Sequence, residues 1–159
     1  MVSETGNPSG GYWTRTKATA MKDITSVIEE INRLDEPSKR KLPLPDDELI
    51  EKYEKATGFI FPEDYKILLK NVSNAFVGYM SPLTLSNEMT TSYGDLLSTL
   101  NDARAIGLPN DWLPICEDNG DYYCLIPNGN VRFWSHDGLT DESWPNLATW
   151  AEEVWIQGH

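Results

Sequence analysis

The chain predicts an α+β domain, a curved and mostly antiparallel sheet with helices packed on one side. Two observations carry this. Five segments place apolar residues at helical spacing, and the stretch from Trp112 to Asp137 alternates apolar and polar residues around Asn-Gly turn signals. A length of 159 residues with 40% hydrophobic content is enough for one domain with a real core.

Residues 1–20, MVSETGNPSGGYWTRTKATA, are rich in Gly, Ser, Thr and Pro and lack apolar periodicity, so they read as a disordered leader ahead of a domain over 21–159. A first helix is expected from about Asp23 to Leu34, where Ile24, Val27, Ile28, Ile31 and Leu34 share one stripe. Pro37, Pro43 and Pro45 then break the chain around a basic linker, Lys39-Arg40-Lys41. Asp46 or Asp47 caps a second helix that ends near Thr57, with Gly58 suited to the position after it. In FPEDYKILLKN, Pro62 is placed at the first position of a third helix, and Glu63 and Asp64 suit the positive end of its dipole. Ala75 to Leu85 reads as one or two short strands interrupted by Pro82. Asp95 to Ile106 is a fourth helix stopped by Gly107-Leu108-Pro109, and Leu147 to Trp155 a closing one.

Between the last two helices lies the predicted three-stranded meander. A type I′ turn at Asn128-Gly129 would pair Ile126 with Val131, Cys124 with Phe133 and Tyr123 with Trp134. One face would then carry Cys124, Ile126, Val131 and Phe133 toward the core. The other would carry Tyr123, Leu125, Arg132 and Trp134, aromatics beside a charge, as interface anchors often stand. Cys116 and Cys124 fall on adjacent strands and read as a reduced, buried pair. A three-residue loop at Asp118–Asp121 would bring them face to face.

Charge is distributed unevenly. Residues 1–70 carry 13 acids and 11 bases, whereas residues 71–159 carry 12 acids against Arg104 and Arg132. Such a surface repels phosphate backbones and steers basic partners, so direct nucleic-acid binding is disfavoured. No run of about 18 apolar residues indicates a membrane span, and no basic segment followed by an apolar one indicates a secretory signal, so the expected location is cytoplasmic. Glu117, Asp118 and Asp121 lack calcium-loop spacing, and no glycine-rich phosphate loop occurs; no metal and no cofactor are expected. His136-Asp137 could serve as an acid–base pair, yet no nucleophile motif accompanies it, and both side chains are expected to bond the turn backbone instead.

Four segments in order, FPEDYKILLKN, WLPICEDNGDYYCLIP, NGNVRFWSHD and SWPNLATWAEE, resemble the SUKH superfamily, the Smi/Knr-type proteins, across about two thirds of the chain. Val72-Ser73-Asn74 stands where a glycine pair is frequent in that family, and Ile126 where an acid is common. The resemblance implies helices on one side of a curved sheet, and binding rather than catalysis. Bacterial members are largely immunity proteins against polymorphic or contact-delivered toxins, and fungal members regulate cell-wall processes through protein contacts. It therefore implies a cognate protein toxin with a basic surface as partner, or, as the alternative, a regulatory scaffold. The expected interface rim is Glu117, Asp118, Asp121, His136, Asp137, Asp141 and Glu142, with Tyr123 and Trp134 as anchors.

Overall fold

Helix caps set the frame of this chain, whose computed structural model describes residues 23–36, 41–87 and 94–158, Leu139 by its backbone alone. The expected leader and Lys39-Arg40 lie outside the described residues. Helix α1 spans Ile24–Leu34, and the extended Asp23 accepts from the Ser26 N–H at its start. Helix α2 spans Asp47–Thr57 between Asp46, which accepts from the Leu49 N–H at 2.9 Å, and Gly58, left-handed at φ 82°. Helix α3 spans Glu63–Val72. Pro62 is extended (ψ 153°) and sits just before α3 rather than as its first residue. Helix α4 spans Leu96–Ala105 and is capped by Asp95.

The closing helix is wound in two ways. After the short α5, Leu147–Trp150, the chain widens into a π-helical turn over Ala151–Ile156, closed by the Gln157 N–H on the Glu152 carbonyl at 3.2 Å. The wider i→i+5 winding brings positions five apart nearer to one side than an α-helix would, and both Trp150 and Trp155 are buried.

The sheet is a four-strand antiparallel meander in the order β1 (Leu113–Asp118), β2 (Asp121–Leu125), β3 (Val131–Ser135) and β4 (Gly138–Trp144). Strand β4 extends the expected meander by one strand. Its pairing with β3 slips between Arg132 and Trp134, so Thr140, Asp141 and Glu142 stand opposite the single Phe133. Such a bulge on an edge strand discourages pairing with another chain.

Two turn expectations are corrected. The type I′ geometry belongs to Asn119-Gly120, where both residues have positive φ (54° and 87°), and Asp118 pairs with Asp121 across a two-residue loop. Of the other Asn-Gly pair, only Gly129 is left-handed. A two-residue loop there would need the N–H of Pro127, which has none. The chain instead closes a turn from the Ile126 carbonyl to the Gly129 N–H (2.9 Å), with Ile126 donating to Asn130 at 3.0 Å. The register shifts by one residue: Tyr122 pairs with Trp134, Tyr123 with Phe133, Cys124 with Arg132 and Leu125 with Val131. A one-residue slip exchanges the faces of every side chain.

Both faces are covered. Tyr123, Leu125, Val131 and Ile115 join the main core built on α1, α2, α3 and the closing helix, while Tyr122, Cys124 and Trp134 form a smaller cluster with Leu100, Ala103 and Leu108. Cys116 sits opposite Tyr123 on the main-core face and Cys124 lies in the smaller cluster, so the two free thiols are on opposite sides of the sheet. The segment 75–85 forms no strand. It makes single bridges, Val77 with Met80, Pro82 with Cys116 and Thr84 with Asp95, and lies along β1 through the Leu83 N–H on the Ile115 carbonyl (2.9 Å). Pro82 withholds the donor a continued ladder would require.

Candidate partner-binding face

An antiparallel meander brings alternate turns to the same end, so the β1–β2 turn meets the β3–β4 turn. There, Asp121 Oδ1 accepts from the His136 backbone N–H at 3.1 Å and meets His136 Nδ1 at 2.8 Å. His136 Nε2 lies 3.6 Å from Asp137 Oδ1. The imidazole is thus held between two carboxylates and ties two hairpins together. The expectation that the His136 and Asp137 side chains bond the turn backbone is corrected: the His136 ring reaches across to Asp121 on β2, the Asp137 carboxylate faces His136 Nε2, and the bond within the turn runs from the Asp137 backbone N–H to Ser135 Oγ.

This pairing raises the His136 pKa, first through the hydrogen bond with Asp121, then through the charges of Asp137 and Asp121. A histidine with a raised folded-state pKa contributes stability that is fully present below its unfolded value of about 6.5 and is lost as pH rises through the folded value. The His136 imidazole is therefore expected to titrate above the unfolded value in an NMR titration. The stability difference between the parent and His136→Ala should be larger in mild acid than in mild alkali. A gap that widened with rising pH would contradict the assignment.

Alternation sorts the acids by face. Asp118 and Asp121 share the face of Cys116 and Tyr123, and Glu142, next to Ser143 opposite Arg132, falls on that face too. The Tyr123 pKa is raised first by burial, then by the charges of Asp118 and Glu142, with Tyr79 contributing as well. Glu117 lies on the opposite face with Tyr122, whose pKa rises through burial and then the charges of Glu117 and Asp102. Asp137 and Asp141 are exposed, the latter at the β4 bulge. The Cys116 thiol is pushed up to about 12, by burial above all and then by Asp118 and Glu117, which keeps it an unreactive thiol.

The placement of the two expected anchors is corrected. Tyr123 and Trp134 do not stand exposed on one face. The register slip sends them to opposite faces, and both are buried, Tyr123 among Phe133, Trp144 and Trp150, and Trp134 against Tyr122. The exposed aromatic on this side is Tyr79, at 71% exposure and absent from the expected interface; the antiparallel bridge between Pro82 and Cys116 carries its segment toward the Asp118 end of β1. Its signal was the turn pair Gly78-Tyr79 between the inward-facing Val77 and Met80, a pattern too short to separate from any other loop.

Residues 24–156 match the family model described as SMI1-KNR4 cell-wall, SUKH_5. The chain belongs to the SUKH (SMI1-KNR4) family. A solved structure is similar to this SUKH chain: the crystal structure of a protein from Pseudomonas syringae pv. tomato, 32% identical, with a TM-score of 0.77, covers 84% of this chain and 99% of that one. No curated protein matches.

The other end of the SUKH sheet is different in character. A cleft of about 400 Å³ opens beside the β2–β3 turn, lined by Phe59, Ile60, Arg104, Leu113, Ile126 and Pro127. Arg104 lies over the Phe59 ring at 5.5 Å and donates to the Asn110 carbonyl at 3.0 Å. Arg132 lies over Trp112 at 5.4 Å and donates to the Thr140 carbonyl. Both cations of the acidic half are thus engaged away from the carboxylates of the turn end. Among the described residues, no group of three or more His, Cys, Asp or Glu is placed to hold a metal ion, and no helix is long and apolar enough to cross a membrane.

Proposed function

We propose that this SUKH protein is a cytosolic immunity protein that binds a cognate polymorphic or contact-delivered protein toxin with a basic surface, a nuclease being the toxin class that fits best, and blocks its active site or substrate groove without catalysis of its own. One observation supports this most. Glu117, Asp118, Asp121, Asp137, Asp141 and Glu142 gather along one end and one edge of the sheet, and among the described residues His136 is the one base paired with any of them. Carboxylates set in this way can occupy a groove built for phosphates. A nuclease has such a groove.

The test begins with capture of the partner in stoichiometric yield, followed by association kinetics across a salt titration. Reversing Asp118, Asp137 and Glu142 to Lys is expected to slow association by about tenfold or more at low salt, with unfolding unchanged. Asp121 is left in place because it holds His136. An association rate that ignores both salt and charge reversal would sink the electrostatic reading. The alternative, a regulatory scaffold, predicts several weak partners in place of one tight one.

A further inference from the structure

Within this face the geometry points to a slot for an arginine side chain of the partner, formed by Tyr79, Asp118, Tyr123 and Glu142; the inference rests on the partner-surface reading above. Tyr79 is an exposed ring on a fixed base. Gly78 takes a left-handed φ of 63°, Val77 and Met80 bridge behind it, and the buried Trp155 indole donates to the Val77 carbonyl at 3.2 Å. An aromatic held out by such a framework offers its face to solvent at little further entropic cost on binding.

Tyr123 supplies the second element. It is 6% exposed, and its ring is clamped by Phe133 at 4.7 Å, Trp150 at 5.6 Å and Trp144 at 5.7 Å. Its hydroxyl makes no hydrogen bond to a described residue, although the similarly buried Tyr53 hydroxyl has partners. Asp118 and Glu142 lie on the same face, and neither carboxylate is among the ion pairs of the described residues. Two free carboxylates, a free hydroxyl and an exposed ring form a set of acceptors beside a π face. A guanidinium satisfies them together, because it is planar, always charged and carries five donors in a fixed fork. An ammonium lacks the plane that would stack on Tyr79.

The slot is tested with fluorescein-labelled hexa-arginine and hexa-lysine peptides by fluorescence anisotropy. Hexa-arginine should bind the tighter of the two. Asp118→Asn with Glu142→Gln should weaken it roughly tenfold or more, as loss of charge-assisted bonds implies. Tyr79→Ala and Tyr123→Phe should each weaken it about three- to tenfold. The control, Glu48→Gln with Glu51→Gln on the exposed side of α2, removes the same charge elsewhere and should change affinity less than about twofold. Equal losses in the control and the slot variants, intact binding by both tyrosine variants, or no binding by the parent would each overturn the slot. Its fate is separable from that of the wider face. Should charge reversal slow the native partner while the slot variants do not, the face stands and the slot falls; should the slot variants weaken hexa-arginine while the partner's association ignores salt, the reverse holds.

Discussion

Replacing Trp150 with Ala is expected to destabilise the domain by about 3–5 kcal/mol, the range for truncating a large buried aromatic. The side chain is 1% exposed, packs on Tyr123 with ring centroids 5.6 Å apart, and sits where α5 meets α1 and α3. Its loss would leave a void among groups fixed on three sides. The indole N–H has no partner among the described residues, so the cost arises from packing rather than from a broken hydrogen bond. Trp150→Phe should accordingly recover much of the loss. With typical domain stabilities of about 5–15 kcal/mol, the Ala variant would forfeit about a fifth of the total or more. Urea unfolding would show this as a lowered midpoint at unchanged slope. A loss under about 1 kcal/mol would mean that the closing helix does not seal the core.

The helices were legible because their signals are local. Asp23, Asp46 and Asp95 each cap a helix start with their own side chain, and Gly58 takes the left-handed position that ends α2. The sheet was legible as a meander, but its register was not. Two Asn-Gly pairs compete as type I′ turns, and the residue before each decides the outcome: Asp118 can donate to its partner, Pro127 cannot. That single missing N–H moves the whole β2–β3 ladder by one residue. Strand β4 carries no alternation to betray it, since GLTDESW opens on glycine and bulges in the middle. The π-helical winding is likewise a tertiary outcome, imposed by two tryptophans that both need the core.

The same slip governs what could be read of the site. The acids were visible as a cluster in the sequence, and turn geometry alone brings Asp121 to His136. Their division between faces depends on register, as does the burial of Tyr123 and Trp134, so the two anchors were misplaced together. Tyr79 was invisible for a different reason. Its exposure is fixed by Trp155, 76 positions away, through a bond to the Val77 carbonyl. No local pattern encodes that contact.

Asp95→Ala is expected to cost about 2–4 kcal/mol, because one carboxyl group holds two elements. Asp95 is 1% exposed, accepts from the Ser98 N–H at 3.0 Å to cap α4, and accepts from the Tyr53 hydroxyl of α2. The Tyr53 oxygen in turn accepts from the Ser86 N–H at 3.0 Å, which ties Ser86 to α2. Loss of a cap costs about 0.5–2 kcal/mol. A buried donor that loses its close carboxylate and keeps only the Ser86 carbonyl at 3.3 Å adds up to about 1–3 kcal/mol. Burial, followed by the Asp95 bond, raises the Tyr53 pKa, consistent with a hydroxyl that stays protonated as donor. Tyr53→Phe removes that donor without emptying the site. The double variant should therefore cost less than the two single losses combined, by about 1 kcal/mol or more, because the hydroxyl that the Ala variant leaves with only the longer Ser86 carbonyl contact (3.3 Å) no longer exists. Urea midpoints of the four proteins in the cycle measure this coupling. Strict additivity would show that the cap alone accounts for Asp95 and that the α2–α4 bond contributes nothing.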